Sequence, residues 1–463
     1  MVPGADLTAR AGADQQVVVG ETVTLDGSSS TDGQNKPFEF SWSIIKKPTG
    51  STVTLSSANT AKATFVPDEV GEYQAELTIS NAGGKSTDKV IITAAAAEPE
   101  TIDSDIKAKT LLIDRITNPN LPDYVITKNI NVDAELTINP GVVIAFSRDT
   151  RLTVSDKGAF IAMGEADKPI RFEGREKTTG FWAGVQVNSS NGGNKMEFVE
   201  IMHAGAQPLF GSTRAGMALA GNFSAQMSIK NCTFSYNKGY GLYIGEGAAL
   251  GEFSTNTFKN NVEAGININA KNVHNLDENS VFTGANGRNV VEIYASILEF
   301  DLNNEITWPV FKDKTPYRIS SSLSVQAAWK VLPETIIEMG REAYLRIDKG
   351  FMKAVGTKDA KIVFRGAETM RGYWRGILFS TASANNIIEF AEIRDGGSQN
   401  LVSGVKANIA VHGSAAQMSV KNNTIQNSGG YGIYVSYHTI VNNDLETVNV
   451  FKDNLSGAIL KQL

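Results

Sequence analysis

The chain has 463 residues, of which 41% are hydrophobic and 20% are charged, and its formal net charge is −6. This length allows two or more domains, and an acidic balance without basic runs argues against a nucleic-acid partner. No apolar run reaches the roughly 18 residues of a membrane-spanning helix. The single cysteine, Cys232, excludes an intrachain disulfide and leaves the redox compartment open.

The first residues, 1–4, contain neither a charged segment nor an apolar core of a signal peptide. We therefore interpret Met1 as the start of a mature chain from which a leader has been removed. This interpretation fits a protein that is secreted or placed on a bacterial cell surface.

Residues 5–95 alternate between apolar and polar side chains in several short runs, with turn residues between them. Runs at 17–25, 38–44 and 71–79 predict a β-sandwich of about 90 residues. The run Val-Gly-Glu-Thr-Val-Thr-Leu-Asp-Gly, the Phe-Ser-Trp-Ser strand and the Gly-Glu-Tyr strand resemble an immunoglobulin-like domain of the polycystic kidney disease (PKD) type. That resemblance implies an extracellular spacer or binding module, with Trp42 in its core. Residues 96–104 then form a linker.

Three consecutive copies of one pattern occupy residues 231–293. Each has an apolar residue, a turn rich in Asn and Gly, and an apolar strand, and equivalent positions follow at steps of 24 residues: Phe234, Phe258 and Phe282, then Leu242, Ile266 and Val290. Such a period predicts a solenoid, and short β-type runs predict that each unit is one turn of a parallel β-coil. Like side chains then stack about 4.8 Å apart.

The segment from 105 to 463 contains recurring pieces that predict an internal duplication, with halves at about 105–300 and 301–463. Residues 180–187 recur as 372–379 and 197–201 as 389–393, both at an offset of 192, while 225–231 recur as 416–422 and 239–244 as 430–435, both at 191. Divided by the 24-residue step, the offset predicts about eight coils in each half. The expected fold is thus all-β, a sandwich followed by a long right-handed parallel β-helix.

This long segment resembles the right-handed parallel β-helix proteins of bacterial surfaces, which have the pectin-lyase-like fold. The resemblance rests on Pro-Gly-Val-Val-Ile at 140–144, on 164–172 with its counterpart 356–364, and on Gly-Phe-Trp-Ala-Gly-Val at 180–185. It implies the fold and leaves the activity open, because the family includes lyases, hydrolases, epimerases and proteins without a known reaction.

Residues for catalysis are not evident in the sequence. β-Helix hydrolases use sets of carboxylates, yet no two Asp residues are adjacent, and Glu197, Glu200, Glu389 and Glu392 fit a solvated face better than an active site. The four histidines, His203, His274, His412 and His438, lack metal-ligand spacing. We predict neither catalytic nor metal-binding residues and no cofactor, with calcium possible but not indicated.

Candidates for ligand binding come from aromatic residues beside basic ones and from two insertions. The insertions, 207–214 and 398–405, occupy matching places in the two halves, so we expect them to project from one face. Flat aromatic rings suit sugars, and arginine suits uronate or sulfate groups. The candidate residues are Trp182, Arg175, Arg214, Trp374, Arg371, Arg375, Tyr240 and Tyr431. The alternative is that both tryptophans pack in the core and recur only through duplication.

The leading hypothesis is a secreted or cell-surface bacterial protein that binds a polysaccharide or cell-surface glycan, or mediates adhesion, without catalysis. A polysaccharide lyase or glycoside hydrolase of the β-helix class is the first alternative, and a structural surface stalk is the second. The expected partners are glycans and possibly another surface protein, with no nucleic acid and no membrane span.

Overall fold

The computed structural model describes residues 7–116, 118–220 and 224–462. The predicted chain start at Met1, and the first two residues and the last residue of the predicted domains, lie outside the described residues. The chain divides into two compact units, which are Met1–Thr101 with Asp114–Val125, and Ile102–Ile113 with Ile126–Leu463. The boundaries 5–95, 96–104 and 105–463 stay a prediction.

The first unit is a sandwich of mostly antiparallel strands. Its four-stranded sheet has the order Gln15–Val18, Gly84–Ala95, Gly71–Asn81 and Glu39–Lys46, and two small sheets pair Val23–Asp26 with Lys62–Phe65 and Leu7–Thr8 with Thr31–Asp32. The predicted core position of Trp42 is confirmed, because its side chain is 4% exposed and its indole Nε1 donates to the Thr60 carbonyl at 3.2 Å.

The second unit is a β-coil whose strands pair in parallel with the strands one turn away. In its first half each turn contributes one strand to each of three sheets. The first sheet consists of Thr110–Leu112, Glu135–Ile138, Ala159–Met163, Lys195–Glu197, Gln226–Lys230 and Ala249–Ser254. The second contains Val143–Phe146, Ile170–Gly174, Val199–Met202, Thr233–Ser235, Thr257–Lys259 and Val281–Gly284. The strands Glu100–Ile102 and Tyr124–Ile126 lie where the two units divide.

A third sheet of thirteen strands continues through both halves. It consists of Ile130–Val132, Arg151–Val154, Gly184–Val187, Ala215–Leu219, Tyr240–Ile244, Ala264–Ile268, Arg288–Ile293, Tyr317–Ile319, Ile336–Met339, Ile362–Gly366, Ala391–Arg394, Thr424–Gln426 and Val450–Lys452. A 3-10 helix, Ala270–Asn275, follows the sixth of these strands. The all-β, parallel-coil prediction is confirmed.

The fourth sheet begins at the end of the first half and continues through the second. Its strands are Ser296–Glu299, Glu305–Thr307, Ser322–Val331, Tyr344–Val355, Gly376–Phe379, Ile387–Glu389, Ala407–Val411, Gln417–Lys421, Tyr431–Val435, Ile440–Val441 and Gly457–Lys461. Two of these strands are long and bend around a corner of the coil: each half of Tyr344–Val355 pairs with a different strand of the next turn.

Stacked phenylalanines fill the coil interior, as the 24-residue step predicts. The Phe258 ring lies 5.1 Å from the Phe234 ring and 4.9 Å from the Phe282 ring, nearly parallel to both. Leu242 pairs with Ile266 as predicted, but Ile266 pairs with Val291 and not with the predicted Val290. A register shift after Ala264 inserts one residue there, which a fixed step could not show.

Buried asparagines satisfy the polar groups at one corner of the coil. The Asn237 amide donates to Asn261 at 2.9 Å, and the Asn261 amide donates to Asn286 at 2.9 Å. Asn423 and Asn449 make the same contact in the second half, at 3.1 Å. Each amide also donates to a backbone carbonyl, so these groups are paired although buried.

The recurring segments of the two halves lie in different sheets. Ile170–Gly174 belongs to the second sheet, whereas its counterpart Ile362–Gly366 belongs to the third. Likewise Gly184–Val187 is in the third sheet and Gly376–Phe379 in the fourth. The 192-residue offset therefore spans a whole number of turns plus a third of a turn, and not the eight whole turns that division by 24 suggests.

Candidate functional site

The two insertions fold down as small turns onto the outer walls of the coil. In 207–214, Leu209 is 4% exposed and packs with Ala218 and Tyr243 on the third sheet. In 398–405, Leu401 packs with Ala410 and Tyr434 on the fourth sheet. The expectation that both project from one face is therefore wrong, because each precedes a strand of a different sheet.

A cleft opens beside the first insertion, at the edge of the third sheet where its strands begin. Its volume is about 390 Å³, and it is lined by Ser212, Thr213, Arg214, Lys238, Gly239, Tyr240, Val262 and Glu263. We call it the Lys238 cleft. It brings together two of the residues predicted from the sequence, Arg214 and Tyr240, and adds a lysine and a glutamate.

Tyr240, which lines the cleft, belongs to a hydrogen-bonded network. Its hydroxyl donates to Glu292 at 3.1 Å, and the Arg288 guanidinium contacts Glu292 at 2.8 Å and Glu263 at 2.5 Å. Burial, followed by the negative charge of Glu292, raises the pKa of Tyr240 to about 12. The phenol is therefore a hydrogen-bond donor at neutral pH, and its position is fixed by charged neighbours.

The charges at the Lys238 cleft leave a cation available to a ligand. The Arg214 guanidinium donates to the carbonyls of Gly205, at 3.0 Å, and Ala206, so backbone contacts hold it in place. The exposed Lys238 ammonium forms no ion pair with any residue that the structure describes. Two cations, Arg214 and Lys238, line the cleft with one carboxylate, Glu263, which is already paired with Arg288, so the cleft is locally positive in an acidic protein.

The two predicted tryptophans are inside the coil. Both Trp182 and Trp374 are 0% exposed, and their Nε1 groups donate to the carbonyls of Met202, at 2.7 Å, and Arg394, at 2.8 Å. The Trp182 ring also stacks on Phe146 with ring centres 3.8 Å apart. Buried ring faces cannot stack on a sugar, so the alternative interpretation, core packing, describes these residues.

The remaining predicted residues are scattered. Arg175 and Arg371 are exposed, precede the buried tryptophans by seven and three residues, and do not line the Lys238 cleft. The Arg375 guanidinium lies 4.8 Å from the centre of the Tyr344 ring and donates to the Asn400 carbonyl at 2.9 Å. Tyr431 is half-buried against the apolar cluster under the second insertion.

Reactive groups outside the cleft have structural surroundings. Cys232 is buried, and burial raises the pKa of its thiol to about 12. Glu197 and Glu389 each accept a hydrogen bond from an asparagine amide, Asn231 and Asn422. Across the described residues, the structure contains no group of three or more His, Cys, Asp or Glu side chains arranged to hold a metal ion.

Sequence reasoning missed Lys238, Glu263, Arg288 and Glu292. A signal for two of them was present, because the 24-residue step carries Gly239 to Glu263 and carries Tyr240 through Ala264 to Arg288. The pairing of Ala264 with Arg288 realises that step. If the 24-residue step is applied to polar positions as well as to apolar ones, it predicts that these side chains lie close together.

Comparison with protein families identifies both parts of the chain. A family model of a PKD domain matches residues 11–94, and the right-handed β-helix region matches residues 140–304. The chain therefore contains a PKD domain followed by a right-handed β-helix region, as the resemblances implied. A search of the curated proteins finds no match.

Solved structures match over short stretches. A nucleoside hydrolase-related protein from Saccharophagus degradans, associated with carbohydrate metabolism, is 23% identical over 20% of this chain and about a quarter (26%) of that one, with a TM-score of 0.18. The PKD domain of the KIAA 1837 protein is 28% identical over 22% of this chain and 98% of that one, with a TM-score of 0.18. A SusE-like, surface-located polysaccharide-binding protein from the Bacteroides thetaiotaomicron heparin utilisation locus is 15% identical over 28% and 20%, with a TM-score of 0.15.

These TM-scores carry no argument about function. Separately, none of the helices among residues 7–116, 118–220 and 224–462 is long and apolar enough to cross a membrane.

Proposed function

We propose that this protein, a PKD domain followed by a right-handed β-helix, binds an acidic glycan at the bacterial cell surface or outside the cell, without catalysis. The observation that carries the proposal is the Lys238 cleft, which combines an unpaired cation, fixed hydrogen-bonding groups and a tyrosine ring on the outer wall of the coil. A volume of about 390 Å³ lies within the range of small-ligand sites.

Each lining group has a role in that proposal. The Lys238 ammonium binds a uronate carboxylate or a sulfate, for which a charge-assisted hydrogen bond contributes about 1.5–3 kcal/mol. Glu263 and the hydroxyls of Ser212 and Thr213 bind sugar hydroxyls. The Tyr240 ring supplies a flat contact for the pyranose, and its ordered position lowers the entropy cost of binding.

The PKD domain serves in this proposal as a spacer toward the cell, with boundaries at 5–95, a linker at 96–104 and the β-helix at 105–463. Adhesion to a glycan-bearing surface follows from the same chemistry. The family match to a β-helix supports a carbohydrate-related role, because polysaccharide-active proteins are among the proteins with that fold.

A polysaccharide lyase is the second candidate, and one observation favours it. Tyr240 and Glu263 line one cleft and contact Glu292 and Arg288 beside it, and uronate lyases need a base beside a group that neutralises the uronate. Against it, a tyrosine with a pKa of about 12 is a poor base at neutral pH. A purely structural stalk would bind no glycan at all.

Electrophoresis through gels containing polygalacturonate, alginate or heparin tests the proposal. We expect at least one of these polysaccharides to retard the wild-type protein, and Lys238→Ala to weaken the retardation about tenfold or more in apparent Kd. The matched control is Lys406→Ala, which removes the cation next to Tyr431 in the second half.

Two results would contradict the proposal. Equal loss in both variants would show binding by net charge alone, and retardation by none of the three polysaccharides would favour the stalk. Incubation of the same polysaccharides with the protein, with and without calcium, separates binding from catalysis: absorbance of unsaturated products would establish a lyase.

A further inference from the structure

A second hollow lies at the corner where the third sheet turns into the fourth. Its volume is about 290 Å³, and its polar lining comes from Ser296, Ser322, Ser324, Tyr344, Arg346 and Asp348. We call it the Arg346 hollow. It is separate from the Lys238 cleft. The cleft opens where the strands of the third sheet begin, and the hollow lies where they end.

The Arg346 hollow resembles the Lys238 cleft in its chemistry. The Arg346 Nε contacts Asp348, and Ser324 donates to Asp348 at 2.6 Å, so two neighbours hold the carboxylate in place. The side chain of Arg346 is 46% exposed. The Arg375 guanidinium lies over the ring of Tyr344, which lines the hollow, so two cations lie in or beside it with one carboxylate, and the hollow is locally positive.

Tyrosines connect the two sites across the outer wall of the third sheet. Tyr240, which lines the Lys238 cleft, packs in one cluster with Tyr243 and Tyr294. The Tyr243 and Tyr294 rings are 5.9 Å apart and stacked. Tyr294 immediately precedes Ala295, which lines the Arg346 hollow. Tyr243 is 9% exposed, and Tyr240 and Tyr294 are partly buried, so these rings form the packed wall between the two sites.

The path runs obliquely across the sheet. From the cleft to the hollow it advances about six residues along a strand and two to three strands along the coil, which gives a span of about 20 Å. A single sugar unit cannot bridge that distance, whereas an extended oligosaccharide of several units can. Linking two sites in this way raises affinity through effective concentration, without new contacts at either end.

We propose that the Arg346 hollow is a second subsite for the same acidic glycan, so that one chain crosses the outer wall of the third sheet with an acidic group at each end. This inference rests on the proposed function of the Lys238 cleft. It adds that the protein selects long chains over short ones, which the cleft alone would not do.

The test is a length series, from di- to decasaccharide, prepared from whichever of polygalacturonate, alginate and heparin retards the protein. Isothermal titration should show that wild-type affinity rises about tenfold or more between the short and the long members. Arg346→Gln should bind the disaccharide as wild type does and lose the gain for long chains. Lys349→Ala, which removes an exposed cation from the same strand, is the matched control and should behave as wild type.

A second variant guards against a local structural effect of losing the Arg346–Asp348 ion pair. Ser322→Trp fills the hollow and leaves every charge in place, and it should also abolish the gain with length. An affinity independent of length, or a full gain in both variants, overturns this inference while the Lys238→Ala result still stands. Absence of any glycan binding by the wild type overturns the proposed function and this inference together.

Discussion

The two halves of the β-helix share a framework but differ in the charges they carry on it. In both, the backbone N–H of a tyrosine donates to the carbonyl of a basic residue at the end of the insertion or directly after it: Tyr240 to Arg214 at 3.0 Å and Tyr431 to Lys406 at 2.9 Å. Yet the positions that match Lys238 and Glu263 are Gly429 and Asn454. A binding cleft thus needs more than the shared backbone, and only the first half has the charged pair.

Packing explains why the second half has no lysine there. A Cβ added to Gly429 would lie 2.5 Å from the Gly397 carbonyl oxygen, which is closer than real contacts allow. At the matching place in the first half, the stem of Lys238 lies over Gly180. The recurring segments support an internal duplication, which remains a proposal, and the two copies have since diverged in what their corners can hold.

The largest expected effect tests the shared interior. Phe258→Ala removes a ring stacked on both sides, and we expect a loss of about 3–5 kcal/mol in the free energy of unfolding. Phe451→Ala, in the last strand of the third sheet, should cost less than half as much, because Phe451 is only partly buried. Urea denaturation followed by circular dichroism measures both, and equal losses would contradict the stacking account.

The next effect tests the corner that separates the halves. Gly429→Ala should destabilise the protein by about 1–3 kcal/mol, since the added methyl group forces backbone apart. Lys238→Ala should change stability by no more than about 0.5 kcal/mol, because it shortens an exposed side chain. A neutral Gly429→Ala variant in the same denaturation assay would show that the second half tolerates a side chain there after all.

The smallest effect concerns His203 and Asp395. They occupy equivalent positions in the two halves, and their pKa values shift in opposite directions. Burial lowers the pKa of His203 and raises the pKa of Asp395. The unfolded chain therefore takes up the histidine proton first, and stability falls as pH drops below about 6.5. For Asp395 the folded state binds the proton first, so its contribution falls as pH rises above about 3.8.

Asparagine is a matched substitution at both positions, because each has a positive φ, 64° and 71°, that asparagine tolerates. His203→Asn should flatten the decline in stability between pH 6.5 and lower values, and Asp395→Asn should flatten the change above pH 3.8. One proton changes the slope by at most about 1.4 kcal/mol per pH unit. Denaturation midpoints across pH measure the slopes, and unchanged slopes in both variants would contradict the assignment.

The sequence predicted the coil because its strongest signals are local and periodic. Phe234, Phe258 and Phe282 repeat at a fixed step, and stacking follows directly from that step. The extra third of a turn between the recurring segments was not predictable, because the coils differ in length. For example, 31 residues separate Gly184 from Ala215, whereas 19 separate Tyr317 from Ile336. An average of 24 conceals these differences.

The candidate site was predictable only in part. Arg214 and Tyr240 were recognised by type, and the structure brings them together. Trp182 and Trp374 were selected by the same reasoning, but whether an aromatic side chain points into a coil depends on strand register, which composition does not reveal. Lys238 was not predictable, because a single exposed lysine has no local signature and its neighbours in the cleft, Val262 and Glu263, come from the next coil.

Protection of lysines from acetylation tests the central claim most directly. The protein would be treated with an acetylating reagent in the presence and absence of the retarding polysaccharide, and modification at each lysine read by mass spectrometry. We predict that the polysaccharide protects Lys238 several-fold and leaves Lys406, an exposed lysine beside Tyr431 in the second half, unprotected. Equal protection of both, or protection of Lys406 alone, would contradict a glycan site in the first half.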